Sequence, residues 1–111
     1  MPPLDDEAIR QKIRIAFEER TSGGVRWRQV ASESARKELD ATPDEIGDLI
    51  HQHLVERKKI QQVKETRTEY AHRDFHYDFY IAVASKDVYM ETVLTEERMG
   101  PVVTVVSLHL A

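Results

Sequence analysis

Side chains that could do chemistry alternate with apolar ones between Phe75 and Val83. The odd-numbered positions are aromatic or aliphatic, whereas the even-numbered positions include His76, Asp78 and Tyr80. Successive side chains of a β-strand point to opposite faces of the sheet, so this pattern predicts a half-buried strand. His76, Asp78 and Tyr80 are therefore predicted to share the face that is turned away from the core.

Two further predicted strands could add acid–base groups to this face. One strand carries Tyr89 and Glu91 at alternate positions, and the other carries Ser107 and His109. Histidine, tyrosine, glutamate and a nearby cation suffice for RNA cleavage by 2′-hydroxyl attack, which needs a base, an acid and a positive charge beside the phosphate. Exposed sheet faces are normally polar and tyrosine is a good strand former, so an ordinary solvated face also accounts for the pattern.

Other familiar kinds of site are not indicated. The histidine pairs His51/His53 and His72/His76 lack a third ligand at an informative spacing, and we therefore predict no metal site. Gly23-Gly24 is not followed by the Lys-Ser/Thr of a phosphate-binding loop, and no serine stands in a nucleophile elbow. We expect no cofactor.

The elements that must position these groups fall into two halves. Apolar residues at helical spacing predict helices in the first half, and a change to period two after Ile60 predicts strands in the second. The predicted helices are 4–20, 26–39 and 42–59, and the predicted strands are 62–70, 75–83, 88–95 and 102–110. The sequence thus predicts a single α+β domain, residues 1–111, with N-terminal helices packed on a three- to four-stranded antiparallel C-terminal sheet.

Two local signals define boundaries within this scheme. Thr42 precedes Pro43 and stands three residues before Glu45, which predicts a capping box at the start of the third helix. Ser85-Lys86-Asp87 predicts a short turn between two strands.

The composition is that of an ordinary globular protein. Of 111 residues, 41% are hydrophobic and 32% are charged, and there is no cysteine. No apolar run approaches the roughly 20 residues of a membrane span, and the acidic start is unlike a signal peptide, so we expect a cytoplasmic protein without a membrane partner. The net charge of -4 argues against a general nucleic-acid binder, but residues 51–73 hold six basic and three acidic side chains. A local basic patch and a solvated surface both remain open.

The order of several short elements resembles the motility quorum-sensing regulator (MqsR) toxins, RNA-cleaving proteins with a RelE-like fold. An opening helix leads to Gly23-Gly24-Val25-Arg26, and residues 39–41 and 44–46 follow in the order of that family. The most similar part is the end of the chain, with Asp78-Phe79-Tyr80, Val88-Tyr89 and Val105-Val106-Ser107-Leu108. The resemblance covers most of the chain and lies in order and spacing rather than in one diagnostic motif.

The resemblance implies a metal-independent mRNA endonuclease that an antitoxin protein holds silent. RNA and an antitoxin are then the expected partners, and a second copy of the chain is a further candidate. The catalytic residues that it implies are Lys64, Tyr89 and His109, where His109 replaces the family's last lysine. The candidate supporting residues are Arg67, Arg73, His76, Tyr77 and Tyr80, where Tyr77 replaces the family's glutamine.

Two non-enzymatic alternatives remain open. The helices followed by strands could form a winged-helix-like DNA-binding or protein-interaction domain, in which the helix from Thr42 to Lys59 would present His51, Gln52, Glu56 and Lys59 to the partner. A degenerate toxin-like fold could also bind RNA or a protein without cutting.

Overall fold

A computed structural model of the chain describes residues 4, 6–66, 68 and 75–111. In this part of the chain the elements are α1 (Glu7–Glu18), a short 3-10 turn (Arg20–Ser22), β1 (Val25–Trp27), α2 (Gln29–Leu39), α3 (Pro43–Val55), β2 (Gln61–Lys64), β3 (Phe75–Val83), β4 (Lys86–Glu97) and β5 (Gly100–Leu110). The predicted α+β class is confirmed. No helix among these is long and apolar enough to cross a membrane.

The five strands form one sheet in the order β1-β5-β4-β3-β2. Neighbouring strands are antiparallel except for β1 and β5, which run parallel. The sheet is therefore mixed and has one strand more than the upper limit of the prediction. The predicted antiparallel arrangement holds for β2 to β5.

The additional strand, β1, lies where the spacing of apolar residues predicted the start of a helix at Arg26. Its three residues pair with residues 103–105 of β5. The Arg28 amide also donates to the carbonyl oxygen of Val105 at 3.0 Å, and α2 begins only at Gln29. This pairing joins segments that are far apart in the sequence, so local spacing could not reveal it. The tertiary contacts overrode the helical pattern.

A hydrophobic cluster joins the helices to one face of the sheet. Phe17 of α1 and Ile50 of α3 are fully buried against this face, and Phe79, which the sheet itself contributes from β3, is fully buried too. The rings of Phe17 and Phe79 meet edge to face with their centroids 6.2 Å apart. Tyr77 also belongs to the cluster, so the side of β3 that faces the helices is as predicted. The strand is not half-buried along its length, however, because His76 and Asp78 on the opposite face are buried too and Phe75 is exposed. The opposite face, here called the polar face, carries His76, Asp78, Tyr80, Tyr89, Glu91, Ser107 and His109.

α3 begins with the predicted capping box. The Thr42 hydroxyl accepts from the Glu45 amide at 3.2 Å, and the Glu45 carboxylate accepts from the Thr42 amide at 3.0 Å. The helix ends at Val55 and does not continue to Lys59 as predicted. Arg57 has a positive φ of 56°, and this residue turns the chain away from the helix axis towards β2.

The turn between β3 and β4 consists of Ala84 and Ser85, not of residues 85–87 as predicted. Both residues have positive φ angles, 50° and 68°, as the tightest β-hairpins require. Val83 consequently pairs with Lys86, and Lys86 and Asp87 are the first residues of β4. The position of this turn sets the pairing of every later residue in the hairpin.

His53 is a buried titratable group beneath the sheet. Its side chain is 8% exposed, and its ring meets Phe79 edge to face at 5.5 Å. Its Nε2 lies 2.8 Å from the Lys59 carbonyl oxygen, and because a carbonyl only accepts, this nitrogen carries the proton. Burial lowers the pKa of His53, with further lowering by Lys58 and Arg10 and an opposing contribution from the Lys59 carbonyl.

The lowered pKa of His53 makes folding stability depend on pH. In the unfolded chain His53 takes up a proton near pH 6.5, whereas in the folded protein it does so only at a lower pH. Stability is therefore expected to fall as the pH drops below about 6.5. Thermal unfolding followed between about pH 7.5 and pH 5 should show a smaller loss in His53→Gln than in the wild type. His51→Gln, on the same helix but partly exposed, should keep the wild-type dependence, and an equal loss in all three proteins would contradict the assignment.

Candidate functional site

The pairing of β3, β4 and β5 arranges the polar face in two rows across the sheet. Tyr80 pairs with Tyr89, which pairs with His109 on the other side. In the adjacent row, Asp78 pairs with Glu91, which pairs with Ser107. The residues that the sequence placed on one face are therefore direct neighbours.

The first row is aromatic and reaches the surface. The Tyr80 and Tyr89 rings are 5.0 Å apart and tilted by 55°, and the Tyr89 and His109 rings are 6.3 Å apart and nearly parallel, at 15°. Tyr80 is 48% exposed, His109 is exposed and Tyr89 is partly exposed. Flat rings on a sheet surface can receive unpaired nucleic-acid bases by stacking.

A β-bulge brings His109 into this row. The pairing of β4 with β5 shifts by one residue between Glu91 and Thr92, because Val106 is an additional residue on β5. Without the shift, Tyr89 would lie opposite Leu108, and His109 would point to the other face. The bulge thus aims the imidazole, which is a frequent role of such irregularities beside functional sites.

Asp78 anchors the second row. It is completely buried, and each of its carboxylate oxygens accepts a hydrogen bond: Oδ1 from Nδ1 of His76 at 2.7 Å and Oδ2 from the Tyr89 hydroxyl at 2.6 Å. With an ionised carboxylate, Nδ1 of His76 must carry a proton. The short distances are those of charge-assisted hydrogen bonds, which can balance the cost of burying a carboxylate.

Tyr89 is held as a hydrogen-bond donor by this arrangement. Burial raises the pKa of its hydroxyl, and the hydrogen bond to Asp78 and the charges of Asp78 and Glu91 raise it further. The hydroxyl consequently keeps its proton at neutral pH. Tyr89 donates this proton to Asp78 and can orient neighbouring groups, but it is not poised to abstract a proton.

Glu91 completes a group of three residues that could act as metal ligands. It is partly buried beside Asp78, and the ligand atoms of His76, Asp78 and Glu91 all lie within 4.8 Å of one another. We call these three residues the imidazole–carboxylate cluster. Sequence reasoning placed Asp78 and Glu91 on this face and counted Glu91 among the acid–base groups, but it gave Asp78 no role and predicted no metal site. The signal was the rarity of aspartate inside a strand, where it normally requires compensating partners.

The other residues singled out from the sequence lie apart from Tyr89 and His109 or outside the described part of the chain. Lys64 is exposed at the end of β2, where it pairs with Phe75. By this pairing its side chain belongs to the face of the sheet that carries Tyr77, which is opposite to the polar face. Tyr77 is 6% exposed and lies in the core. Arg67, Arg73 and His72 lie outside the described residues.

The helix proposed as a DNA-reading element packs on the sheet through one side and exposes the other. His51 is partly exposed and Gln52 is exposed, and the Gln52 amide donates to the Glu56 carboxylate at 2.9 Å. Glu56 also pairs with Lys58 at 3.1 Å. Lys59 lies beyond the end of α3. The exposed side of this helix thus has mixed charge.

Comparison with known proteins provides no family for this chain: no protein-family model matches it, and neither does any curated protein or solved structure.

Proposed function

We propose that the polar face binds single-stranded RNA and cleaves it by 2′-hydroxyl attack, as the resemblance to MqsR toxins implies. The observation that carries the proposal is the aromatic row of Tyr80, Tyr89 and His109, which ends in an exposed imidazole. The row offers both a surface for stacking bases and a group that can move a proton. An antitoxin protein that covers this face is the corresponding partner.

Binding in this proposal relies on the accessible faces of the aromatic rings in the row. Stacking of a base on an aromatic side chain contributes about 1–3 kcal/mol per base and does not depend strongly on sequence. In this proposal the bases stack along the row and a backbone phosphate lies beside the exposed His109 at its end. The carboxylates of Asp78 and Glu91 lie in the next row, so their charge opposes the RNA backbone. We therefore expect moderate affinity that rests on stacking more than on charge.

Cleavage in this proposal uses His109 as the proton-transfer group. Its imidazole removes the proton of a 2′-hydroxyl, and the 2′-oxygen attacks the adjacent phosphorus. The bond from phosphorus to the 5′-oxygen breaks, and the proton held by His109 returns to that leaving oxygen. The products are a 2′,3′-cyclic phosphate and a free 5′-hydroxyl. Tyr89 keeps its proton and supports the His109 ring by stacking.

A second candidate is RNA binding without cleavage. The observation that favours it is the Tyr89 hydroxyl, whose proton is committed to Asp78 at 2.6 Å. The aromatic row would then serve only to hold bases. Both candidates require RNA on the polar face, so the appearance of cleaved product distinguishes them.

The test is incubation of the purified chain with labelled single-stranded RNA oligonucleotides in the presence of a chelator. We expect cleavage at preferred positions, with 2′,3′-cyclic phosphate ends. The matched control is an oligonucleotide with a single 2′-deoxy residue at the cleaved position, which should bind but resist cleavage. Binding without product for every RNA would favour the second candidate, and neither binding nor cleavage would contradict both.

In a bacterial culture, induction of the chain alone is expected to arrest growth and fragment transcripts. Normal growth with intact transcripts and soluble, folded protein would contradict a toxin.

A further inference from the structure

We propose that the imidazole–carboxylate cluster is a binding site for one divalent transition-metal ion, with His76, Asp78 and Glu91 as its protein ligands. The proposal does not depend on RNA cleavage. It also does not follow from the histidine spacing along the chain, because its ligands come from two paired strands.

The backbone holds the three ligand groups in place. His76 and Asp78 are two residues apart on β3, so both side chains leave the same face of one strand. Glu91 is the partner of Asp78 on β4. Their ligand atoms lie within 4.8 Å of one another, while ligands bound at about 2.1 Å to one ion are about 3.0–3.4 Å apart, depending on the coordination geometry. Small side-chain adjustments on a fixed sheet would close that difference.

The donor set indicates the class of ion. One imidazole nitrogen with two carboxylate oxygens suits zinc, manganese or ferrous iron, since imidazole is a good ligand for transition metals and carboxylates accept harder cations as well. An ion with a charge of +2 would also balance the two carboxylates, of which Asp78 is completely buried. Three protein ligands leave at least one position for water, as in many reactive metal sites.

The contact between His76 and Asp78 shows how an ion could enter. Nδ1 of His76 and Oδ1 of Asp78 are 2.7 Å apart and share a proton. An ion that replaces this proton binds both atoms after their separation widens to about 3.0–3.4 Å. The other oxygen of Asp78 stays fixed by the Tyr89 hydroxyl at 2.6 Å. Such a hydrogen bond behind a ligand is a regular feature of metal sites and orients the carboxylate.

The experiment is a calorimetric titration of the untagged chain, freed of metal by chelator, with zinc chloride and separately with manganese chloride. We expect one ion per chain and a rise in the melting temperature when the ion is bound. Glu91→Gln and Asp78→Asn should each weaken binding at least about tenfold, and Tyr89→Phe should weaken it less than either. His51→Gln serves as the matched control and should bind like the wild type.

Glu91→Gln is the decisive variant if Asp78→Asn does not fold, because Glu91 is only partly buried. Absence of binding by the folded wild type would overturn the proposal. Wild-type affinity in folded Glu91→Gln would do so too, since the ion would then occupy other residues. The titration contains no RNA and the cleavage test contains a chelator, so failure of one proposal leaves the other intact.

Discussion

Gly24→Ala is expected to destabilise the protein by about 3 kcal/mol or more, a large part of the stability of a small domain. A Cβ atom at this position would lie 2.2 Å from the carbonyl oxygen of Ala16 and 2.9 Å from that of Glu19. Both neighbours are backbone atoms, so no side-chain rotation can make room. The chain must pass this point closely because the Gly24 amide donates to Glu19 at 2.8 Å and its carbonyl accepts from the Val103 amide at 2.9 Å.

The loss can be measured as the free energy of unfolding in urea, with Gly47→Ala as the matched control. A Cβ atom on Gly47 would lie 3.2 Å from Cδ of Arg20, a side-chain atom rather than a backbone atom, in a side chain that is held by Asp48 and the Phe17 carbonyl oxygen. Alanine favours a helix over glycine by about 1 kcal/mol, which offsets the cost of a small shift of Arg20, so this variant should stay close to the wild type and be far more stable than Gly24→Ala. Equal stability of the two variants would mean that the close approach of Gly24 to α1 does not exist in solution.

The Gly24 contact illustrates which parts of the fold were predictable from the sequence. The glycine pair indicated the end of a helix, which is a local property. Its second role, joining α1 to β1 and β1 to β5, depends on a parallel pairing between distant segments. The capping box of α3 and the alternation of β3 were predictable because their signals lie within a few neighbouring residues. β1 was not predictable because it depends on contacts with a distant segment.

The composition of the polar face was predictable, but its contacts were not. Alternation alone placed His76, Asp78 and Tyr80 together. The aromatic row depends on the exact position of the Ala84–Ser85 turn, since a loop at residues 85–87 would have paired Tyr80 with Thr92 instead of Tyr89.

The bulge on β5 was hidden in the sequence as well. It lies within a run of apolar residues, Val105-Val106, where an additional residue leaves no sign in the pattern. The imidazole–carboxylate cluster could not be predicted from the sequence either, because Asp78 and Glu91 become neighbours only through the register of β3 and β4.

Replacement of His109 is expected to lower the proposed RNA cleavage by about 10²–10⁴-fold, the usual contribution of one acid or base group. Alanine would remove both the proton-transfer group and the ring that stacks on Tyr89. His109→Phe separates these two roles, because it keeps a flat ring at the same position but cannot move a proton. The fold should survive either change, since His109 is exposed.

The measurements that distinguish the roles of His109 are the cleavage rate at saturating RNA and the affinity for the uncleavable 2′-deoxy oligonucleotide. For proton transfer, His109→Phe should bind this oligonucleotide like the wild type but cleave RNA as poorly as His109→Ala. If both variants cleave at the wild-type rate, His109 is not the base. If His109→Phe cleaves normally and only His109→Ala fails, the residue acts by stacking, and the proton must be taken by another group. The phenylalanine variant therefore decides whether the aromatic row is a catalytic centre or a surface for binding bases.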